Sequence, residues 1–425
     1  MRESDIIFGG EKKLRQAIKE AVELFHPACI MICSTCPVGL IGDDIQAVAA
    51  WAKETFTIEC VAFSCEGYRG VSQSAGHHIA NNGLMKHVIG TGSAVPVENK
   101  HTLNILGEYN IGGDGWETAR VLKRIGYEVL NIFTGDGSYE GIKDANIADL
   151  NLVMCHRSIS YIAEMMKDKY GVDWLKVNFI GIQETIRTLH EIAAYFDDPA
   201  ITLKTEEVIA DEFSAVEEGL GYYRGKLAGK TAGVFSGGSR SHHYQLLLQE
   251  LGIKTIVAGY EFAHRDDYEG CEVIPNIKVD ADNKNIEELK LEPDRDKYRV
   301  VIDRDRYEML KETTELEYYK GMFKDMKKDS IVVDDYNHYE TAELIRLFKP
   351  DIFYSGIKDK YEIMKSGTPS WQIHSYDYSG PYSCFQGALN FARDSYMAIY
   401  SPAWDMIHAP WKTQSTLMGT IGGGK

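Results

Sequence analysis

The sequence predicts an α/β protein made of two or three doubly wound, Rossmann-like domains with parallel sheets. Short apolar runs alternate with helical patterns along most of the chain, which is typical of β-α-β units covered by helices on both faces. The chain has 425 residues, which is more than one hydrophobic core usually serves. We place the predicted domains at residues 1–95, 96–230 and 231–425.

The first predicted domain begins with an amphipathic helix from Gly10 to Phe25. Four apolar side chains form its inner stripe: Leu14, Ile18, Val22 and Phe25. The run "ACIMIC" predicts a strand, and a loop then leads to a helix that Asp43 or Asp44 caps. The inward side of that helix is formed by Ile45, Val48, Ala49 and Ala52. The strand "IECVAFS" and the helix "SQSAGHHIANNGLMKHVIG" follow, so this domain carries Cys36 and the segment from Cys65 to His78.

The second predicted domain follows the polar linker "TGSAVPVENKHT". Its strands are "TLNILGEY", "EVLNIFT" and "LNLVM", with a helix from Trp116 to Ile125, and it carries Cys155. A long, charged helical stretch from Pro199 to Lys230 marks its end.

The third predicted domain contains the strands "TAGVFS", "KTIVAGY", "SIVVDD" and "DIFYSG". It carries Arg240, Lys358 and His374. From Asp266 to Lys328 the alternation gives way to a highly charged passage, which we interpret as a surface insertion.

Composition limits the possible partners and location. The formal charge of -17 opposes non-specific phosphate binding, so we expect no nucleic acid. No apolar run is long enough to span a membrane, and the first residues lack a signal-peptide pattern, so we expect a cytoplasmic protein. The 8 cysteines are too sparse for a disulfide scaffold and are available to metals or catalysis.

Thiols, imidazoles and cations recur directly after the predicted strands. Doubly wound sheets bind ligands at the carboxyl ends of their strands, so these positions form a candidate site. They are Cys36, Cys65 to Gln73, Asn110 to Asp114, Cys155 to Ser158, Gly237 to Arg240, Phe262 to Asp267, Lys358, and His374 to Tyr382.

The stretch "CIMICSTCPVGLIGDD" leaves several interpretations open. A zinc site would need a second cysteine pair at similar spacing, which the sequence lacks. A redox pair like that of thioredoxin would open a helix, whereas Pro37, Gly39 and Gly42 predict a loop. We interpret most of the cysteines as buried structural residues: Cys29, Cys33, Cys60, Cys271 and Cys384.

Cys36 and Cys155 differ because each follows a strand and lies among polar residues, where a soft thiolate suits iron and sulfur. Two isolated thiols cannot hold a four-cysteine cluster, so other ligands are needed. His374, in "WQIHSYDYSGPY", is the best imidazole, although it also suits a hydrogen-bonded structural role. "SGGSRSHH" is either an anion-binding nest to which Arg240 adds charge or a plain turn.

Long blocks of this sequence resemble the nitrogenase component 1 family, and within it the α-chains. The blocks, in the family's order, are "CPVGLIGDDI", "CEGYRGVSQSAGHHIANN", "GEYNIGGD", "CHRSISYI", "GYEFAHRDDYEG", "SGIKDKY" and "HSYDYSGPY". The likeness extends from about Glu3 to Trp411, and the insertion resembles that of clostridial and archaeal members. The resemblance implies a subunit that reduces dinitrogen to ammonia, at a metal site between the domains.

The resemblance also implies the ligands of an iron-molybdenum cofactor with homocitrate. Cys155 matches the thiolate on its terminal iron, and His374 matches the imidazole on its molybdenum. Gln73 and His77 are implied to lie near homocitrate and the substrate-reducing face, with His77 a hydrogen-bond donor or proton relay. The "GDG" at Gly135 and the "CEGYRG" block favour molybdenum over vanadium or iron alone.

Further roles are implied around the same cofactor. Arg240 and the backbone of Gly237 and Gly238 match groups that hydrogen-bond cluster sulfides. Lys358 matches the cation that faces homocitrate. Such donors would stabilise an electron-rich anionic cluster.

The remaining implied residues are Ser158 and Phe262, which match packing groups around the cofactor, and Cys36, which matches a ligand of the 8Fe-7S P-cluster. The implied partners are a β chain, in an α2β2 assembly, and the ATP-hydrolysing iron protein, which is reduced by ferredoxin or flavodoxin. Cys33 matches no motif of the family.

The family's α-chains carry two further P-cluster cysteines before the position that matches Met1, so we expect either a gene start assigned to an internal methionine or a shortened homologue. Three alternatives to a dinitrogenase subunit stay open: a cofactor-assembly scaffold, a related reductase of another small molecule, and a cluster-poor, non-catalytic homologue. Scaffold chains generally lack the imidazole at His374.

Overall fold

A computed structural model describes residues 3–67, 73–96, 101–260, 271–273, 291–293, 331–334, 337–374, 376 and 379–406. The chain forms two compact units, one of residues 1–107, 130–175 and 275–289, and one of residues 108–129, 176–274 and 290–425. The division into three domains stays a prediction. None of the helices in the described ranges has the length and apolar content that a membrane crossing requires.

The elements follow one another as α/β units, which confirms the predicted fold class. The helices are α1 (Glu3–Phe8), α2 (Glu11–Phe25), α3 (Cys36–Ile41), α4 (Ile45–Phe56), α5 (Gln73–His87), α6 (Asp114–Ile125), α7 (Tyr139–Lys143), α8 (His156–Tyr170), α9 (Ile182–Phe196), α10 (Pro199–Leu227), α11 (Gly238–Glu250), α12 (His338–Phe348), α13 (Ile357–Lys365) and α14 (Cys384–Ile399). Short 3-10 helices span Ile111–Gly113, Ala145–Ile147 and Pro402–Asp405.

The strands are short, as is usual in α/β proteins. They are β1 (Cys29–Cys33), β2 (Glu59–Phe63), β3 (Thr102–Glu108), β4 (Glu128–Thr134), β5 (Leu150–Val153), β6 (Asp173–Lys176), β7 (Thr231–Ser236), β8 (Lys254–Tyr260), β9 (Cys271–Val273), β10 (Leu291–Pro293), β11 (Ile331–Asp334), β12 (Ile352–Ser355) and β13 (Ser370–Gln372). Every strand predicted from an apolar run is present. Strands β6, β9, β10 and β13 were not predicted, because each is too short and too polar to form an apolar run.

The first unit contains the parallel pair β1–β2 and a four-stranded sheet in the order β4-β3-β5-β6. Helix α4 packs on the pair as predicted, with its inward stripe buried: Ile45, Val48, Ala49 and Ala52. The Asp44 side chain caps α4 by accepting the N–H of Ala47 at 2.9 Å. Phe25 was predicted on the inner stripe of α2 but is 77% exposed, because the helix ends there.

The segment after Cys36 is a helix rather than the predicted loop. Helix α3 starts at Cys36 and has Pro37 in its first turn, where a proline lacks only an N–H that the helix would not have paired. Gly42 ends the helix with a left-handed φ of 80°, which a glycine adopts without strain. The proline and glycine that predicted a loop are therefore the start and stop signals of one short helix.

The second unit is built on a five-stranded sheet in the order β11-β8-β7-β12-β13. Strands β7, β8, β11, β12 and β13 pair in parallel, so their carboxyl ends meet at one edge. At that edge Ser355 pairs with Phe235 on one side and with Gln372 on the other. The residues that follow these strands therefore lie near one another.

Helix α10 is a single helix of 29 residues and confirms the predicted helical stretch. Its Glu212 carboxylate holds two arginines of α6, with Arg120 donating at 2.7 and 2.8 Å and Arg124 pairing with the same group. Glu212 is 7% exposed, so this cluster links α10 to α6 where the two helices pack against each other. The predicted insertion from Asp266 to Lys328 lies outside the described residues, except for β9 and β10.

Candidate functional site

Cys155 lies directly between β5 and α8, as the sequence predicts. It is the N-cap residue of α8, and its carbonyl accepts the N–H of Ile159 at 3.2 Å. The thiol is half-buried. A thiolate at the amino end of a helix is stabilised by the unpaired backbone N–H groups and the helix dipole. The thiol therefore lies where unpaired backbone N–H groups face an incoming ligand.

Gly107 lies against Cys155 in the first unit. Gly107 has a φ of 76°, and a Cβ atom there would lie 2.8 Å from both the Cβ and the backbone nitrogen of Cys155. The N–H of Met154 donates to the carbonyl of Leu106 at 2.8 Å, so the two strands hold this contact in register. Only glycine fits at position 107, and the close approach fixes where Cys155 sits.

Three other predicted site residues of the first unit lie on α5 and α8. Gln73 begins α5, and Ser158 is in the first turn of α8, but the side chains of both lie outside the described residues. His77 is half-buried on α5. Its neighbour His78 packs edge-on against Tyr161 with ring centroids 4.8 Å apart, and burial lowers the pKa of its imidazole. His78 therefore acts as a packing residue, and His77 stays the candidate donor.

Cys36 is half-buried at the start of α3. A Cβ atom at Gly67 would lie 3.9 Å from its Sγ atom. None of the seven cysteines whose side chains are described forms a disulfide. Among all the described residues of the chain, no group of three or more His, Cys, Asp or Glu side chains is arranged to hold a metal ion.

The second unit brings three of the predicted residues to one edge of its sheet. Gly237 follows β7 and is the N-cap residue of α11, and a Cβ atom there would lie 4.0 Å from Cδ2 of His374. Lys358 follows β12 in the first turn of α13. The side chains of His374 and Lys358 are both exposed. Gly238 begins α11, and Phe262 lies outside the described residues.

Arg240, in the first turn of α11, is held by a network of buried acids and phenols. Its Nη1 atom donates to the Tyr376 hydroxyl at 2.6 Å and to Asp114 at 3.3 Å. Its Nη2 atom lies 3.6 Å from Glu108. The Arg240 side chain is 13% exposed, so its charge is compensated mainly by these groups.

The two carboxylates of this network are among the most buried charges in the described chain. Asp114 accepts the Tyr376 hydroxyl and the N–H groups of Tyr382 and Ser383, the last two at 2.6 and 2.9 Å. Burial and the nearby Asp114 raise the pKa of Glu108 to about 7, although Arg240 opposes the shift. Glu108 is therefore a carboxyl group that changes charge near neutral pH.

Tyrosines complete the network. The Tyr244 hydroxyl donates to that of Tyr376 at 2.9 Å. Burial raises the pKa of both phenols, so both stay protonated at neutral pH. Asp114 and Tyr376 lie in predicted loop segments but were assigned no role, and Glu108 was not predicted as a site residue. A carboxylate that ends an otherwise apolar strand, as in "TLNILGE", was the available signal.

Comparison with known proteins identifies the family of the chain. The sequence profile described as "Nitrogenase component 1 type Oxidoreductase" matches residues 1–400. The chain is 55% identical over 426 residues to the nitrogenase molybdenum-iron protein alpha chain of Clostridium pasteurianum, covering 100% of this chain and 79% of that protein. It is 53% identical over 415 residues to the protein of the same name from Methanosarcina barkeri, covering 98% of this chain and 78% of that protein.

A solved structure gives the same result. The chain matches a chain of nitrogenase Cp1 at pH 6.5 with a TM-score of 0.82 and 55% identity, covering 97% of this chain and 79% of the other. The resemblance predicted from the signature blocks, including its clostridial and archaeal character, is thereby confirmed. This chain belongs to the family of nitrogenase component 1 type oxidoreductases.

Proposed function

We propose that the chain is the α subunit of a dinitrogenase and reduces dinitrogen to ammonia at an iron-molybdenum cofactor with homocitrate. The observation that carries this proposal is Cys155, held against Gly107 at the amino end of α8, in a chain 55% identical to a nitrogenase molybdenum-iron protein alpha chain. Cys155 would bind the cofactor's iron, and His374 would bind its molybdenum.

The donor set suits a large anionic cluster. A half-buried thiol at a helix N-terminus provides a soft anionic ligand, and an exposed imidazole provides a borderline nitrogen ligand. Two protein ligands suffice for a preassembled cluster, whereas a single metal ion would need more. Cys155 and Gly237 are the N-cap residues of α8 and α11, and the unpaired backbone N–H groups at these helix ends favour negative charge beside them.

The cofactor, when bound, would supply the metal centres and the accumulated electrons for reduction. Arg240 would supply a fixed positive charge, because Glu108, Asp114 and Tyr376 hold its guanidinium in one position. A fixed charge needs no reorganisation as electrons accumulate. The exposed Lys358 would face homocitrate, with Ser158 and Phe262 packing near the cofactor. His77, with Gln73 one turn before it, would donate a hydrogen bond or relay a proton.

The proposal extends to partners. We propose that the chain assembles with a β chain as an α2β2 complex in the cytoplasm and receives electrons from an ATP-hydrolysing iron protein. Cys36 would be one ligand of the P-cluster. The family membership supports a multi-subunit metalloprotein, and the half-buried Cys36 thiol beside Gly67 is suited to a metal-bound thiolate.

The test is co-expression of the chain with its β partner and maturation proteins, comparing wild type with Cys155→Ala and His374→Ala. We expect each substitution to abolish most of the molybdenum content of the purified complex, and dinitrogen and acetylene reduction with it. Metal analysis is the primary measurement because it does not depend on turnover. Full cofactor content in either variant would contradict the assignment of that ligand.

Two control substitutions match the chemistry at positions away from the site. Cys29→Ala removes a half-buried thiol of β1, and His190→Ala removes an exposed imidazole of α9 that pairs with Glu206. Both should retain wild-type metal content. A complex that contains molybdenum and reduces acetylene but not dinitrogen would instead indicate a reductase of another small molecule.

A further inference from the structure

Cys33 is exposed, which contradicts its interpretation as a buried structural residue. It ends β1, and its partner in the parallel β1–β2 pair is Phe63. Strand β2 ends at Phe63, and Cys65 follows two residues later, where it contacts the residue after Cys33.

The position of Cys65 is fixed by contacts with Ser34, the residue after Cys33. The backbone N–H of Cys65 donates to the Ser34 Oγ atom at 3.0 Å, and the Cys65 thiol donates to the Ser34 carbonyl at 3.3 Å. The N–H of Ser34 donates to the Phe63 carbonyl at 3.0 Å, which continues the ladder past Cys33. The Ser34 hydroxyl also donates to Glu66 at 2.8 Å.

These contacts hold Cys65 against Ser34, the residue that follows Cys33, and the two thiols are close enough to interact electrostatically. Burial is the main cause that raises the pKa of the Cys65 thiol, and the neighbouring Cys33 raises it further. Cys33 is the more exposed of the two, so a reagent in solution meets it first. Two other cysteines of the same sheet, Cys29 and Cys60, are less accessible to a reagent, because Cys60 is buried and Cys29 is half-buried.

We propose that Cys33 and Cys65 form a reversible dithiol–disulfide site at the end of the β1–β2 pair. The proposal does not depend on the dinitrogenase function, because neither thiol is assigned to a metal. The site would take a low-molecular-weight disulfide as its oxidant. Oxidation would tie Cys65, two residues after β2, to the end of β1, shortly before α3 begins.

The exchange occurs in two steps. The Cys33 thiolate attacks one sulfur of the disulfide RSSR, which forms the mixed disulfide Cys33–S–SR and releases one RSH after protonation. The Cys65 thiolate then attacks the Cys33 sulfur and releases the second RSH. In total both protein thiols are oxidised, two protons pass to the leaving thiolates, and RSSR is reduced to two RSH.

The test uses the full chain, reduced, desalted under argon and incubated with oxidised glutathione. Remaining thiols are blocked with N-ethylmaleimide, and the chain is digested with trypsin for mass spectrometry. Trypsin leaves Cys29, Cys33 and Cys36 in one peptide and Cys60 and Cys65 in another, so fragment spectra must assign the linked pair. We expect Cys33 and Cys65 to lose their thiols in equal amounts and the dithiol form to return with dithiothreitol.

Three single substitutions make the result specific. Cys33→Ser and Cys65→Ser should abolish the linked peptide, whereas Cys29→Ser should leave its yield unchanged. Cys33 is exposed, so the Cys33→Ser variant is expected to keep its fold, which a circular dichroism melting curve checks. Glutathione adducts without the link, or a link from Cys65 to Cys36 in the wild type, would overturn the proposal.

Discussion

The carboxylate of Asp114 accepts the backbone N–H of Tyr382, with 2.6 Å between the oxygen and the nitrogen. Asp114 begins α6, and Tyr382 lies just before α14, so one side chain joins two distant segments of the second unit. The N–H of Ser383 donates to the same oxygen at 2.9 Å, and Arg240 lies on the other side of the carboxylate. Asp114 is fully buried, so its charge depends on these donors.

Replacing Asp114 with asparagine should therefore destabilise the second unit. The substitution leaves the Arg240 charge poorly compensated and turns an amide group toward backbone N–H donors. We expect a loss of about 3–5 kcal/mol in the free energy of unfolding, as for breaking a buried ion pair. Urea unfolding followed by tryptophan fluorescence would measure it.

The matched control is Asp211→Asn. Asp211 is exposed and pairs with Arg124 at the surface of the same unit, so its loss should cost less than ~1 kcal/mol. Equal losses in the two variants would show that Asp114 is not the organising contact.

Glu108 should make the stability of the chain depend on pH. Its folded pKa is raised from 4.5 to about 7, so the folded state binds more protons than the unfolded state between these values. Stability from this group is present below the unfolded pKa and is lost as pH rises through about 7. The charged groups that face Glu108 are Arg240 and Asp114.

Glu108→Gln removes the titration of this carboxyl group. Comparing the variant with the wild type therefore separates the effect of Glu108 from that of the other titratable groups. At pH values below the unfolded pKa we expect the variant and wild type to have similar urea midpoints. As pH rises through the window, the variant should become progressively the more stable of the two. A constant difference between the two midpoints across the window would refute the assignment.

Gly107→Ala should perturb the chain at Cys155. Any alanine at a φ of 76° is strained by about 1–2 kcal/mol, and here its Cβ atom would also lie 2.8 Å from Cys155. We expect an additional loss of about 1–3 kcal/mol from the forced repacking, measured by thermal or urea unfolding.

Gly171→Ala is a close control for this comparison. Gly171 has the same φ of 76°, but nothing lies within 4 Å of its Cβ position. The difference between the two variants therefore reports the contact with Cys155 alone. If both lose the same stability, Gly107 does not constrain the thiol.

Glu212→Gln should loosen the packing of α10 on α6. Its carboxylate holds Arg120 and Arg124, and these charge-assisted hydrogen bonds lower the pKa of Glu212 despite its burial. We expect a loss of about 1–3 kcal/mol in unfolding free energy. Glu207→Gln, on the same helix, removes only an exposed pair with Lys204 and should cost at most ~0.5 kcal/mol. If Glu212→Gln leaves the free energy of unfolding unchanged, the ion-pair cluster makes no net contribution to stability.

Local patterns determined much of the fold in advance. Apolar runs predicted strands such as β3, β7 and β12, and Asp44 was expected near the start of α4, because strands and caps depend on residues close in sequence. Predictions failed where local signals had two meanings. Pro37 and Gly42 are as common in a loop as at the two ends of a short helix. Strand β13 has too few residues to show an alternation of apolar and polar side chains.

Patterns in the sequence were enough to predict the α/β class, the family, and the position of the Cys155 thiol directly after a strand. The contacts of Arg240 with Glu108, Asp114 and Tyr376, and the exposure of Cys33, depend on tertiary packing. The reason is physical. A carboxylate at the end of a strand has the same sequence pattern whether it faces water or a buried guanidinium, and only the packing of distant segments settles which one it meets.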